Sequence, residues 1–157
     1  MTLKRMDNVL IVVEDLDAAT AFFVELGMEL EGQTVVEGPW AGAIIGLQDV
    51  RADIAMLRTP DGHSRVELSR FHRPPAVRAE PQDAPSNALG IRRLMFAVDD
   101  IDDTVARLQR ICGTLVGEIV RYQDIYRLCF MRGPEGILVG LAQDLRSTPD
   151  PTGDPTP

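Results

Sequence analysis

Asn8-Val-Leu-Ile-Val-Val-Glu-Asp-Leu-Asp17 and Arg93-Leu-Met-Phe-Ala-Val-Asp-Asp-Ile-Asp102 are one stretch written twice. With the chain slid by 85 residues, Val13 falls on Val98, Asp15 on Asp100 and Asp17 on Asp102. Further on, Ala21 falls on Ala106, Leu30 on Leu115 and Gly32 on Gly117, with no gap. The ends of the two halves also match. Pro60-Asp61-Gly62 corresponds to Pro134-Glu135-Gly136, and Val66-Glu67-Leu68 to Val139-Gly140-Leu141, now at offsets of 74 and 73. The first half therefore carries extra residues, placed around Val36–Leu47, where Gly38-Pro39-Trp40-Ala41-Gly42 reads as a loop. Self-similarity of this kind marks a supersecondary unit used twice over a shared core.

Each half reads as βαβββ. The apolar runs Val9–Val13 and Leu94–Val98 have the length and β-branched content of buried strands. Asp15 and Asp100 follow, short acceptors set just before a helical apolar period, as N-caps should be. That period is Ala18, Ala21, Phe22 and Leu26 in the first half and Val105, Leu108 and Ile111 in the second. Gly27 and Gly113 stand where a left-handed turn would end each helix. Three strands complete each half, the last two joined by Thr59-Pro60-Asp61-Gly62 and Gly133-Pro134-Glu135-Gly136, in which Pro presets φ and Gly accepts a positive φ. The expected architecture is α+β: two tandem βαβββ modules forming a cleft between curved mixed sheets. Module 1 takes residues 1–72 and module 2 residues 90–145. The stretch 73–89, whose first fifteen residues hold four prolines and no apolar period, is a linker, and the polar, proline-rich residues 146–157 are a disordered tail.

Composition narrows the functional classes. The 157 residues are 45% hydrophobic with a formal net charge of −8, a globular composition whose sign argues against nucleic acid, since phosphates demand a basic face. No apolar run is long enough to span a bilayer, and the first residues carry no apolar signal core, so the expected location is the cytoplasm. Cys112 and Cys129 form no CxxC pair and read as buried thiols. No Walker loop, Gly-x-Gly-x-x-Gly or nucleophile elbow occurs, which leaves nucleotide binding and Ser/His/Asp hydrolysis without support.

With "apolar run, Val-x-Asp-Leu/Ile-Asp" opening each half, Phe22-Phe-x-x-Leu-Gly27 on the first helix and Arg132-Gly-Pro-Glu-Gly136 near the end, the chain resembles the vicinal oxygen chelate superfamily. This group holds glyoxalases, extradiol dioxygenases, epimerases, fosfomycin-modifying enzymes and bleomycin-type resistance proteins. The resemblance covers about Met6 to Leu145. It implies the glyoxalase/bleomycin resistance fold, with metal ligands of the His, Gln or Glu type on the first and last strand of each module. Carried onto this chain, those positions are Asn8, Glu67, Arg93 and Gly140. Only Glu67 is a good ligand. Asn8 is a poor one, the guanidinium of Arg93 repels cations, and Gly140 has no side chain. No metal and no other cofactor is expected.

Strand side chains alternate between faces. If Glu67 faces the cleft, Arg65, Ser69 and Phe71 accompany it; Asn8 brings Leu10 and Val12, and Arg93 brings Met95. Met56, Tyr122 and Tyr126 join the same inner surface, Trp40 is a candidate lid, and His72 a donor at the rim. The expected ligand-binding set is thus Asn8, Leu10, Trp40, Met56, Glu67, Ser69, Phe71, His72, Arg93, Met95, Tyr122 and Tyr126. An apolar, aromatic cleft with few polar groups suits a flat or bulky organic molecule. It resembles the antibiotic-sequestering branch, which implies non-catalytic binding of a bleomycin- or enediyne-type natural product by a homodimer, with modules exchanged between subunits. The alternatives are a metal-dependent lyase, isomerase or dioxygenase, and a metal-free biosynthetic enzyme in which Glu67 is the weak candidate for a base.

Overall fold

The computed structural model describes residues 3–146. The expected tail therefore lies, apart from Arg146, outside the described residues. The elements run β1 (Val9–Val12), α1 (Leu16–Leu26), β2 (Glu29–Glu37), α2 (Pro39–Ile45), β3 (Arg51–Arg58) and β4 (Arg65–Arg73), then β5 (Arg93–Ala97), α3 (Ile101–Arg110), β6 (Thr114–Tyr122), β7 (Tyr126–Arg132) and β8 (Leu138–Asp144). Two four-stranded sheets result, ordered β1-β4-β3-β2 and β5-β8-β7-β6. In each, the first strand lies parallel to the last (β1 on β4, β5 on β8) and the other neighbours are antiparallel. The repeat legible in the sequence is thus a repeat of topology, and the α+β fold of two βαβββ modules holds.

The caps work as their residue types require. Asp15 Oδ1 accepts from the Ala18 N–H at 2.9 Å, and Asp100 Oδ1 from the Asp103 N–H at 3.0 Å. The buried hydroxyls of Thr20 and Thr104 are satisfied by the carbonyls of Leu16 and Asp100, both at 2.7 Å. Two local expectations change. The inserted stretch is the short helix α2, because Pro39 is tolerated in a first turn and Gly42 lets the chain fold back on the Leu47 carbonyl. The left-handed residue after α3 is Cys112, at φ +73°, rather than Gly113. Gly113 is needed for a different reason: a Cβ there would fall 2.8 Å from the Leu108 carbonyl oxygen.

One core serves both modules. Ile11, Leu57, Val66 and Leu68 point from the first sheet, and Cys129, Met131, Val139 and Leu141 from the second, onto Phe22, Phe23, Ile101 and Leu108 of the helices. Phe22 and Phe23 meet edge to face, centroids 5.4 Å apart. Burial of each ring contributes roughly 1.5–3 kcal/mol. The helices α1 and α3 touch each other. Arg107 of α3 hydrogen-bonds to the Glu25 carbonyl near the C-terminus of α1 and pairs with Asp103 at 2.8 Å. A cation there complements the helix dipole. The layers are therefore sheet, helices, sheet, and each sheet turns its second face away from the shared core. Among the described residues no helix is long and apolar enough to cross a membrane.

Cys112 is exposed, whereas Cys129 lies in the core and burial pushes its thiol up to about 11. Reaction of the native protein with iodoacetamide at about pH 8 should modify Cys112 and leave Cys129 untouched, since only the thiolate reacts. Mass spectrometry that finds both labelled at similar rates contradicts this core.

Candidate functional site

The outer face of the first sheet carries Glu67 at its centre. Parallel pairing sets Leu10 beside it and antiparallel pairing sets Met56 on its other side. Ser69 lies between Val12 and Ile54, and Phe71 opposite Ala52, so one β4 face presents Arg65, Glu67, Ser69 and Phe71. Asn8, just before β1, donates through Nδ2 to Glu67 Oε2 at 2.7 Å. Arg65 is occupied by Glu31 at 2.8 Å. Ser69 is buried and Phe71 half-buried, while Leu10 is 50% exposed.

The outer face of the second sheet is the counterpart. Arg93, Met95 and Ala97 of β5 share it with Gly140 of β8, with Tyr126, Leu128 and Phe130 of β7, and with Val120 and Tyr122 of β6. The Arg93 guanidinium carbon sits 4.5 Å from the Phe130 ring centroid, a cation–π contact. Arg146 stacks over Tyr126 at 5.2 Å and donates to its hydroxyl at 2.9 Å. Met95 is 47% exposed and Tyr122 53%.

Glu67 and Arg93 do not meet in one chain. Each has another partner, and they lie on faces turned to opposite sides of the shared core. The structure brings together Asn8, Leu10, Met56, Glu67, Ser69 and Phe71 on one face, and Arg93, Met95, Tyr122 and Tyr126 on the other. His72 is drawn off to Asp53, Nε2 to Oδ2 at 2.7 Å. Trp40 rides on α2, 59% exposed, alongside the exposed Ile44. Sequence reading left out Thr34 and Ile54, which with Met56 line a shallow depression of about 270 Å³ on the first face, and Phe130, Leu128 and Val120 on the second. The signal for Ile54, Leu128 and Phe130 was that they stand at even spacing from Met56 and Tyr126 on the same strands, whereas Thr34 and Val120 come to these faces only through pairing of β2 and β6.

The donor set does not suit a divalent metal. Glu67 offers a carboxylate already engaged by an amide N–H, and Arg93 brings a positive charge. At Gly140 the space of a side chain is taken, since a Cβ there would fall 2.2 Å from Met95 Sδ. No step is derived through a metal.

A family profile described as "Glyoxalase/Bleomycin resistance protein/Dioxygenase superfamily" matches residues 5–141. The "Glyoxalase Family Protein APC24694" from Bacillus cereus superposes with a TM-score of 0.88 at 56% identity, covering 92% of this chain and 97% of that one. The "Uncharacterized protein YaeR" of Escherichia coli (strain K12) is 30% identical over 141 residues, 86% of this chain and 92% of its own. At 11% identity and a TM-score of 0.59, a mutant of the Listeria monocytogenes fosfomycin resistance protein FosX, complexed with Mn(II), shares the fold over 93% of each chain.

Zinc, manganese, nickel or iron(II) at about tenfold excess should leave the thermal midpoint of the purified protein unchanged, as should EDTA, because a ligand stabilises only a state that it binds. A saturable rise with any one of these ions contradicts the donor analysis.

Proposed function

The chain belongs to the glyoxalase/bleomycin resistance protein/dioxygenase superfamily, and from that premise we propose that it binds and sequesters a bulky, aromatic natural product in a metal-free cleft, in the cytoplasm, and releases it chemically unchanged. The observation that carries this reading is the chemistry of four positions: an amide closed on a carboxylate, an arginine laid over a phenyl ring, and a glycine whose side-chain space a methionine fills. Polarising a substrate oxygen needs an open metal site or convergent donors. Holding a flat molecule needs apolar and aromatic surface with a few orienting polar groups, and Phe71, Tyr122, Tyr126 and Phe130 supply that surface.

The cleft is made by two copies. The first module's outer face in one protomer meets the second module's outer face in its partner, and a twofold axis makes two such clefts at once. The support is the exposure of Leu10, Val12, Met95 and Val120 on these faces, apolar area that an isolated chain leaves in water. In the assembled cleft, Glu67 with Asn8 forms one polar wall and Arg93 the other. The competing reading is a metal-free enzyme with Glu67 as base. It is favoured by the Glu67 Oε1 atom, which has no hydrogen-bond partner among the described residues.

Light scattering should give twice the chain mass. Calorimetric titration with a bleomycin should saturate at one molecule per chain, and mass spectrometry should recover the drug unaltered. Arg93→Ala should weaken binding by about 5–10-fold, the loss of a cation–π and polar anchor worth roughly 1 kcal/mol. A monomer, or no saturable binding, contradicts the proposal. Turnover of the ligand that Glu67→Gln abolishes would establish the enzymatic reading instead.

A further inference from the structure

A cavity of about 310 Å³ lies away from the two outer-face clusters, where the linker crosses the end of β1 and the turn before β8. It is an open groove with a buried apolar floor that includes Ile11 and Val13, and with the exposed side chains of Val77 and Ile91 at its edge. Arg92 also lines it, and the Arg92 Nε is shielded from solvent with no hydrogen-bond partner among the described residues. Nor does any acidic side chain lie within ion-pair distance of this guanidinium. A buried, unpaired guanidinium N–H is costly, and native proteins rarely leave one so without a reason.

The other charges at the cavity are spoken for. Arg78 pairs with Glu14 at 2.5 Å. Glu135 Oε1 accepts from the Glu14 N–H at 2.8 Å and Oε2 from the Gln82 amide at 3.5 Å. Arg92 is thus the cation still able to take an anion, and it sits at a space of mixed apolar and polar lining within the size range of small-molecule sites. A guanidinium pairs with carboxylate oxygens in a fixed fork geometry.

We propose that this cavity is a binding site for a small apolar carboxylate, anchored by Arg92 and packed between the linker and the end of β1. It shares Val12 with the rim of the first outer face but none of the residues that form the proposed cleft's polar walls, and it stands whether or not that reading holds. Glu135 also lines the groove and has no ion-pair partner among the described residues, so removing its charge should lessen repulsion of an anionic ligand.

Hexanoate and benzoate are the probes, with hexanol and inorganic phosphate as controls for the apolar body and the charge alone. Methyl NMR of the full chain should show saturable shifts at Ile11, Val77 and Ile137 with either carboxylate, and binding at least about tenfold weaker for both controls. Arg92→Met should lose at least about tenfold in affinity, Arg92→Lys should keep part of it, and Glu135→Gln should bind more tightly. The wild-type shifts test the site even if a variant folds poorly. Absence of saturable shifts in the wild-type chain, shifts confined to other residues, or equal binding by folded Arg92→Met would overturn the proposal.

Discussion

Everything in this molecule follows from where its apolar surface is spent. Helices α1 and α3 lie between the two sheets and touch each other, so both helix-facing sheet surfaces drain into one core. Phe22 and Phe23 are fully enclosed there, and Arg107 ties the two helices through the Glu25 carbonyl. That arrangement uses one face of each sheet and leaves the other turned away from the core. It also forbids the two functional faces of a chain from seeing each other. The composite cleft proposed above therefore needs a pair of chains, and the exposed Leu10, Val12, Met95 and Val120 mark the surface such a pair would bury.

The chemistry of these faces is set by register as much as by residue type. Parallel pairing of β1 on β4 brings Asn8 to the level at which its amide reaches Glu67. Antiparallel pairing of β7 on β8 places Phe130 beside Gly140, the glycine leaves room for Met95, and the guanidinium of Arg93 lies over the Phe130 ring. Substituting a ligand at any one of the four positions would not rebuild a metal centre. Asn8, Arg93 and Met95 would all have to change with it, since each now occupies or repels what a cation would need.

Much of this was legible in the sequence, for reasons that can be named. The internal repeat announced the topology, and Asp15 and Asp100 announced the helix starts, because a cap is a local interaction. Period-two alternation announced which residues of β1, β4 and β5 share a face. What escaped was set by longer-range packing. Gly38, Pro39 and Gly42 look like loop punctuation, yet Gly42 is there so that a short helix can close on Leu47. His72 reads as a rim donor until β3 supplies Asp53 beside it. The separation of Glu67 from Arg93 was hidden altogether, because alternation says which way a side chain points from its own sheet and nothing about where the other sheet lies.

The two proposed half-sites need a second chain to meet. In a chain lacking Cys112, with Leu10→Cys and Met95→Cys introduced, a short thiol-reactive cross-linker should join residue 10 of one protomer to residue 95 of another, giving a covalent dimer whose linked peptides mass spectrometry identifies. A cross-link confined to single chains, or none under conditions where both thiols react, would contradict it.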